Sequence, residues 1–236
     1  MKIMSNWMIK TKKRIKESKK QGFYNNWTKK DYGLITFLIY PDFQINNVWF
    51  KKRLNIYKKN AKILGAKPPK VSFFVYPSIE AGKEIGITPA VCFVKMKEIH
   101  GHLNQSPGHE LTHILIGKIN DSKNLPGNGL WQEGLCTYLN GTKTNQKKHT
   151  LSLNFPKAIL ATPWKKWTKH MPGNLYPLAG SIIQYLVKRY GWKKMILFLK
   201  KLKKSAENQD KISLDIFKKS LEEIQKDWLK WIKKEG

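Results

Sequence analysis

Several features are scarce in this sequence, and each absence excludes a class of protein. There are only two cysteines, Cys92 and Cys136, too few for a disulfide framework, so a reducing interior is the simpler expectation. No apolar run approaches the roughly eighteen residues that suggest a transmembrane helix. The N-terminal residues also lack the uninterrupted apolar stretch of a secretory signal. The sequence therefore predicts a cytoplasmic protein without a membrane span.

Acidic residues are also scarce, with 16 Asp and Glu against 45 Lys and Arg and a formal net charge of +29. Such an excess can indicate a surface that binds nucleic acid. Here the lysines are spread over the whole chain, mainly on the polar sides of apolar-striped helices, and no nucleic-acid-binding motif accompanies them. We therefore expect no specific nucleic-acid binding, although the charge favours anionic surfaces at low salt.

Residues 1–30 form the most basic segment, with ten Lys or Arg against the single acid Glu17. Its apolar residues recur at helical spacing, which predicts a basic amphipathic helix. Two interpretations remain open. The helix packs on the body of the protein with its basic face in solvent, which we favour, or it attaches peripherally to an anionic membrane surface.

The rest of the chain has the composition of a folded protein, with 41% hydrophobic and 12% aromatic residues. We expect one compact domain with two lobes. Residues 31–145 predict an α/β lobe, and residues 146–236 predict a helical lobe, which together give an α+β fold. The predicted strands are 33–40, 71–76 and 89–94, and the predicted helices, besides those of the motifs below, are 48–64, 178–190, 192–202 and 214–232.

The sequence contains one short motif with a clear chemical meaning, His109-Glu110-x-x-His113, followed by an apolar run. Residues at i and i+4 lie on one face of a helix, so the two imidazoles can converge on one metal ion. Ser106 and Pro107 suit the start of this helix, and Gly117 suits its end. In a chain with only six histidines, chance is a poor explanation of the motif.

A second predicted helix, 130–139, follows a turn-rich loop and carries Glu133, which is available as a third ligand. Three protein ligands and one water are typical of a catalytic zinc site, whereas a structural site closes the fourth position with another protein group. Cys136 lies one turn beyond Glu133. It is either an accessory metal contact or a small buried residue, and the second role is the simpler one.

The motif, nineteen intervening residues and the run Glu133-Gly134-Leu135-Cys136-Thr137-Tyr138 resemble the signature of gluzincin-type zinc metallopeptidases. The run is similar to the Glu-Gly-x-Ala-x-Tyr pattern of the peptidase MA-like family and the membrane-alanyl-type aminopeptidases, with Cys136 in place of alanine. The resemblance implies a zincin-like fold, in which a small mixed β-sheet and an active-site helix precede a helical C-terminal lobe.

The resemblance also implies one Zn²⁺ per chain, with His109, His113 and Glu133 as ligands and Glu110 as the general base. The implied reaction is hydrolysis of a peptide or protein substrate by zinc-activated water. Tyr176, at the head of a later helix, is our first choice to stabilise the oxyanion. Tyr138, Tyr185 and His170 remain alternatives for that role.

Two further possibilities concern the surroundings of this site. His100 and His102 lie in a predicted linker, 99–105, from which either histidine can line the cleft. The alternative function is a catalytically inactive peptidase-like scaffold that binds an anionic membrane surface or nucleic acid through its charge. The presence of Glu110 beside a full set of ligands favours the enzyme.

Overall fold

The computed structural model describes residues 6–83, 85–86, 90–119, 129–140, 160, 175–202 and 208–234, and it has the expected α+β composition. Predicted features at 1–5, 120–128 and 141–149, and His170, lie outside the described residues. The strands are β1 (Thr28–Asp31), β2 (Ile35–Ile39), β3 (Val71–Tyr76), β4 (Val91–Phe93) and β5 (Glu98–His102). The helices are α1 (Asn6–Lys20), α2 (Asn47–Leu64), α3 (Ile79–Lys83), α4 (His109–Ile119), α5 (Gly129–Tyr138), α6 (Leu175–Lys201), α7 (Gln209–Phe217) and α8 (Leu221–Lys234).

The five strands form one mixed sheet in the order β1-β2-β3-β5-β4. The three central strands run parallel, and each outer strand is antiparallel to its neighbour. Alternate residues of β2, beginning with Ile35 and Phe37, are fully buried on one face. Phe37 lies opposite Phe73 of β3, which in turn lies opposite Ile99 of β5. These apolar residues give the sheet a core-facing side.

The two faces of the sheet are covered by different helices. Helix α1 packs on one face through Ile15, beside Phe74 and Tyr76 of β3. The other face packs against α2 and α4, and this larger core continues through α5 into the C-terminal helices. Trp131 of α5, for example, packs edge-on against Phe198 of α6. The metal motif therefore lies between the sheet and the helical part of the molecule.

The N-terminal helix has the packed arrangement that we favoured. Thr11, Ile15 and Ser18 are buried against the body, while basic side chains such as Lys13 and Lys16 are exposed. The buried Ile15 contributes to the core and cannot insert into a membrane surface while the helix is docked. None of the described helices is long and apolar enough to cross a membrane.

Two strands were missed by the sequence analysis. The predicted linker 99–105 is for the most part β5, which pairs in parallel with β3 and lies within the sheet. Its residues Glu98, His100 and His102 are polar, so its sequence does not look like that of a buried strand. The edge strand β1 consists of Thr-Lys-Lys-Asp and is mostly exposed, so it has no apolar face to reveal it.

Three helix boundaries also differ from the prediction. Helix α4 begins at His109 rather than Pro107 and continues beyond Gly117, where a methyl group would meet Val94 Cγ1 at 2.2 Å. The predicted helix 214–232 is two helices, because Lys218 adopts a left-handed conformation at φ 59°. Ser220 and Glu223 then cap α8 reciprocally, which is a capping box that the sequence does contain.

Candidate metal centre

Helix α4 carries the motif residues, and its apolar residues belong to the larger hydrophobic core. The His109 and His113 rings lie one turn apart with their centroids 5.1 Å apart, as expected for positions i and i+4. The apolar residues between and after them are buried, including Leu111 and Ile114. Burial of this apolar face fixes the rotation of the helix and so directs both imidazoles away from the sheet core.

Helix α5 brings Glu133 to the same point. Glu133 Oε2 lies 3.1 Å from His109 Nε2 and 3.5 Å from His113 Nε2. Two ligand atoms at about 2.0–2.1 Å from one tetrahedral zinc are about 3.3 Å apart, so both separations fit a shared ion. The three side chains are also largely buried, at 16%, 10% and 21% exposure. The donor set, two imidazoles and a carboxylate, is one that zinc accepts.

The Glu133 carboxylate lies between the imidazoles of His109 and His113, and Glu133 and His113 shift each other's pKa values. Burial alone would raise the pKa of Glu133, but His113 and hydrogen bonds to both histidines hold that pKa well below its usual value. Burial would lower the pKa of His113, but Cys136 and Glu133 raise it well above its usual value. Glu133 is therefore ionised and ready to bind a cation.

Cys136 lies with the histidines. The ligand atoms of His109, His113 and Cys136 are all within 4.8 Å of one another. Cys136 is 0% exposed, and burial raises the pKa of its thiol to about 11, although His113 opposes the change. The sequence left two roles open for Cys136. Its complete burial fits the role of a small core residue, and the position of its sulfur beside both imidazoles also fits a metal contact.

Glu110, the predicted base, is held by a residue that the sequence analysis did not identify. Gln105 Nε2 donates a hydrogen bond to Glu110 Oε1 at 3.0 Å. The Gln105 side chain passes over Gly101 so closely that a methyl group there would lie 1.9 Å from Gln105 Oε1. Arg53 Nη2 donates a hydrogen bond to the Gln105 backbone carbonyl at 2.7 Å, which holds the backbone of Gln105 in place.

A buried polar network fixes the two ligand-bearing helices relative to each other. Asn60 of α2 donates from Nδ2 to Thr112 Oγ1 at 3.0 Å and to the Leu139 carbonyl at 2.8 Å. Thr112 Oγ1 also donates to the Gly108 carbonyl. Because Thr112 belongs to α4 and Leu139 follows α5, one amide side chain links both. Asn60 is thus a second residue that supports the site and that sequence reasoning missed.

Tyr176 lies beside the cluster, at the start of α6. Its ring centroid is 5.8 Å from that of His109, and burial together with Glu133 and Glu110 raises its pKa to about 12. Helix α6 approaches α5 closely at Gly134, where a methyl group would lie 2.5 Å from the Ala179 carbonyl oxygen. The glycine that follows Glu133 therefore permits the packing that brings Tyr176 to the site.

A cleft of about 390 Å³ opens beside these residues. Its lining includes one ligand, the base and the tyrosine, so the motif faces a space that a substrate can enter. Polar groups from three different elements converge there, as is usual for a binding site. The lining residues are Ala90, His102, Gln105, Ser106, His109, Glu110, Thr137, Asn140, Tyr176 and Pro177.

The other candidates named from the sequence lie in different places. His102 borders the cleft as expected, but His100 is fully buried on the α1 side of the sheet, where Tyr76 OH contacts its Nδ1. Tyr138 stacks on Trp192, and Tyr185 packs against Trp231 in the helical core. Among the tyrosines proposed for the oxyanion, Tyr176 is the one that lines this cleft.

Comparison with known proteins adds no further information on this arrangement. No protein-family model and no curated protein sequence matches the chain.

Proposed function

We propose that this chain is a zinc-dependent metallopeptidase with a zincin-like fold, similar to the gluzincins of the peptidase MA-like group. The observation that carries the proposal is the convergence of His109, His113 and Glu133 at separations suited to one zinc ion, at the edge of a cleft. The three side chains come from two consecutive helices, α4 and α5.

The proposed site holds one Zn²⁺ through His109 Nε2, His113 Nε2 and Glu133 Oε2. When bound, the ion lowers the pKa of its water toward neutrality and polarises the scissile carbonyl. Glu110 lies one residue from His109 and borders the cleft. It takes the proton from the attacking water and later delivers that proton to the leaving amine.

Gln105 and Tyr176 complete the proposed machinery. Gln105 holds one carboxylate oxygen of Glu110, which leaves the other oxygen to accept the proton. The Tyr176 hydroxyl is protonated at neutral pH, as its pKa of about 12 lies even above the usual value, so it can donate a hydrogen bond to the developing oxyanion. Their positions support hydrolysis of a carbonyl compound at this cleft.

The edge of the sheet supports a peptide as the substrate. Strand β4 is the outer strand on this side, and Ala90, directly before it, lines the cleft. The unpaired edge of a strand can bind an extended peptide through backbone hydrogen bonds. Such pairing presents a scissile bond to Glu110 without requiring a particular side chain, so the proposed substrate is an extended segment of peptide or protein.

The test combines metal analysis with a broad peptide-library cleavage assay on wild-type protein and Glu110→Gln. We expect one zinc per chain in both proteins, because the amide is isosteric and the ligands are unchanged. Cleavage should fall by on the order of 10²–10⁴ in the variant, the usual contribution of a positioned acid–base group. Zinc-loaded wild type that cleaves nothing would instead favour the inactive scaffold, and equal cleavage by both proteins would refute the role of Glu110.

A further inference from the structure

We propose that Cys136 is a fourth protein donor to the metal, so that the site in its resting form has two histidines, one carboxylate and one thiolate. This inference rests on the proposed metal site and concerns its ligand set. It departs from the resemblance noted above, in which the corresponding position is alanine and carries no donor atom.

The first support is the position of Cys136 on α5. Glu133 and Cys136 are three residues apart in one helix, so their side chains share a face. That face is directed at α4, because Glu133 Oε2 lies between His109 Nε2 and His113 Nε2. Helix geometry therefore directs sulfur to the same region as the carboxylate.

The second support is distance. The ligand atoms of His109, His113 and Cys136 lie no more than 4.8 Å apart. Sulfur and nitrogen ligands of one tetrahedral zinc, at about 2.3 and 2.0–2.1 Å from the ion, are about 3.6 Å apart. Small side-chain rotations on the two packed helices are enough to bring the sulfur and the nitrogens from within 4.8 Å to the ligand separation of about 3.6 Å. The Glu133 oxygen is at ligand spacing from both imidazoles but is not one of the three atoms of that group, so the carboxylate also has to rotate for all four side chains to share one ion.

The third support is the contrast between the two cysteines. Cys136 is fully buried, and its sulfur belongs with the two histidine nitrogens to the group of possible ligands. Cys92 provides the comparison within the chain, because it is partly buried against the main core and does not belong to the group of possible ligands.

Coordination by Cys136 has a chemical consequence. On binding the metal, the thiol loses its proton to solvent, and the sulfur occupies the position that a catalytic site keeps open for water. For water to reach a bound ion, Cys136 would have to make room for it, and a thiolate that left the ion would take up a proton from solvent. The site as proposed is therefore closed at rest, with Cys136 controlling access of water to the ion.

Cobalt substitution tests this ligand directly and does not depend on activity. Full-length protein is freed of metal, loaded with Co²⁺, and its near-ultraviolet absorption is recorded, because a thiolate ligand gives an intense sulfur-to-cobalt charge-transfer band. We expect the band in wild type and in the control Cys92→Ala, and its loss in Cys136→Ala and Cys136→Ser. Affinity for Co²⁺ should fall by at least about 10-fold in Cys136→Ala, since loss of even an outer-shell partner costs 10–100-fold.

The outcomes separate this inference from the proposed function. Stoichiometric Co²⁺ without the band in wild type overturns the role of Cys136 and leaves the three-ligand site in place. A band that survives in Cys136→Ala also overturns it. Wild type that binds neither Co²⁺ nor Zn²⁺ overturns the metal site itself. Circular dichroism of both Cys136 variants establishes that they are folded, and two substitutions of different polarity guard against a packing effect.

Discussion

Histidine side chains are buried on both faces of the sheet, but their surroundings differ. On the α1 face, fully buried His100 stacks on Phe74 with ring centroids 4.4 Å apart, and its Nδ1 lies 3.0 Å from Tyr76 OH. Tyr76 OH in turn lies 3.1 Å from Tyr24 OH. On the opposite face, His109 and His113 both lie close to Oε2 of Glu133, and His109 borders a cleft.

The comparison teaches that a buried histidine with polar neighbours is not by itself a metal site. His100 belongs to a chain of contacts that ties α1 to the sheet, ending at Glu98, which Lys19 of α1 contacts at 2.6 Å. At the proposed metal centre, two histidine nitrogens of α4 and a Glu133 oxygen of α5 lie close together, and the proposed base Glu110 and a cleft lie beside them. Convergence, rather than burial or the number of histidines, distinguishes the two faces.

The largest expected effect comes from removing one converging donor. His113→Ala should lose zinc, and peptide hydrolysis should fall by on the order of 10³-fold or more, because a bound metal contributes several kcal/mol to the reaction. The matched control is His100→Phe, which removes a buried histidine from the other face and keeps a ring against Phe74. Metal content by atomic absorption and cleavage rates should resemble wild type in the control. Equal metal content in both variants would show that His113 contributes no more to metal binding than His100 does.

The sequence predicted the parts of this arrangement that local geometry determines. His109 and His113 come together because positions i and i+4 of a helix always do, and apolar periodicity revealed α2 and α5. By contrast, β5 pairs within the sheet although its residues are mostly polar, and the α7–α8 break depends on the conformation of Lys218. Ser220 and Glu223 did mark the start of α8, so part of that error was avoidable.

The residues that support the site, Gln105 and Asn60, could not be predicted from the sequence for a different reason. Gln105 reads as an ordinary loop residue, and Asn60 reads as one polar residue in a lysine-rich helix. Their partners are distant in sequence, with Asn60 contacting the Leu139 carbonyl 79 positions away. Only the packing of α2 against α4 makes that contact, so no local pattern could have indicated it. The placement of Glu133 opposite both histidines was predicted by resemblance rather than by spacing alone.

The next effect concerns the positioning of the base. Gln105→Ala should lower kcat by about 10- to 100-fold, since a hydrogen bond to a charged group contributes about 1.5–3 kcal/mol. KM and zinc content should change little, because Gln105 contacts neither the ligands nor, in the proposed mechanism, the substrate. Gly101→Ala should cause a similar loss with Gln105 intact, because the added methyl group would lie 1.9 Å from Gln105 Oε1. Steady-state kinetics measure both.

Asn104→Ala is the matched control for Gln105→Ala, since Asn104 is a neighbouring but exposed amide residue. Its kcat should equal that of wild type. A rise in KM with unchanged kcat in Gln105→Ala would mean that Gln105 contacts substrate and does not position Glu110.

A smaller effect is expected on stability from the link between the ligand-bearing helices. Asn60→Ala leaves the buried Leu139 carbonyl and Thr112 hydroxyl short of a donor, which should lower the free energy of unfolding by about 1–3 kcal/mol. Asn55→Ala, at an exposed position of the same helix, should stay within about 0.5 kcal/mol of wild type. Urea denaturation measures both. Equal stability of the two variants would show that the network does not hold α4 and α5 together.

The smallest effect concerns pH and the α1 face. Burial lowers the pKa of His100 although the nearby Glu98 carboxylate opposes the change, so the folded protein takes up this proton at lower pH than the unfolded chain, whose histidine pKa is about 6.5. This contribution to stability is present above that pH and is lost as pH falls below it, with a slope of at most about 1.4 kcal/mol per pH unit. Stability also falls with the protonation of Glu98 at lower pH: burial would raise the pKa of Glu98, but the neighbouring His100 and the hydrogen bond from Lys19 lower it overall.

His100→Phe isolates this dependence, because it removes the titrating group and keeps the stack on Phe74. Comparing its free energy of unfolding with that of wild type at several pH values cancels the contribution of the metal-site histidines, which both proteins share. We expect the free energy of unfolding of wild type minus that of the variant to decrease as pH falls from about 7 to about 5. Parallel curves over that range would mean that His100 does not titrate differently on folding, and its buried contacts would then be insensitive to acid.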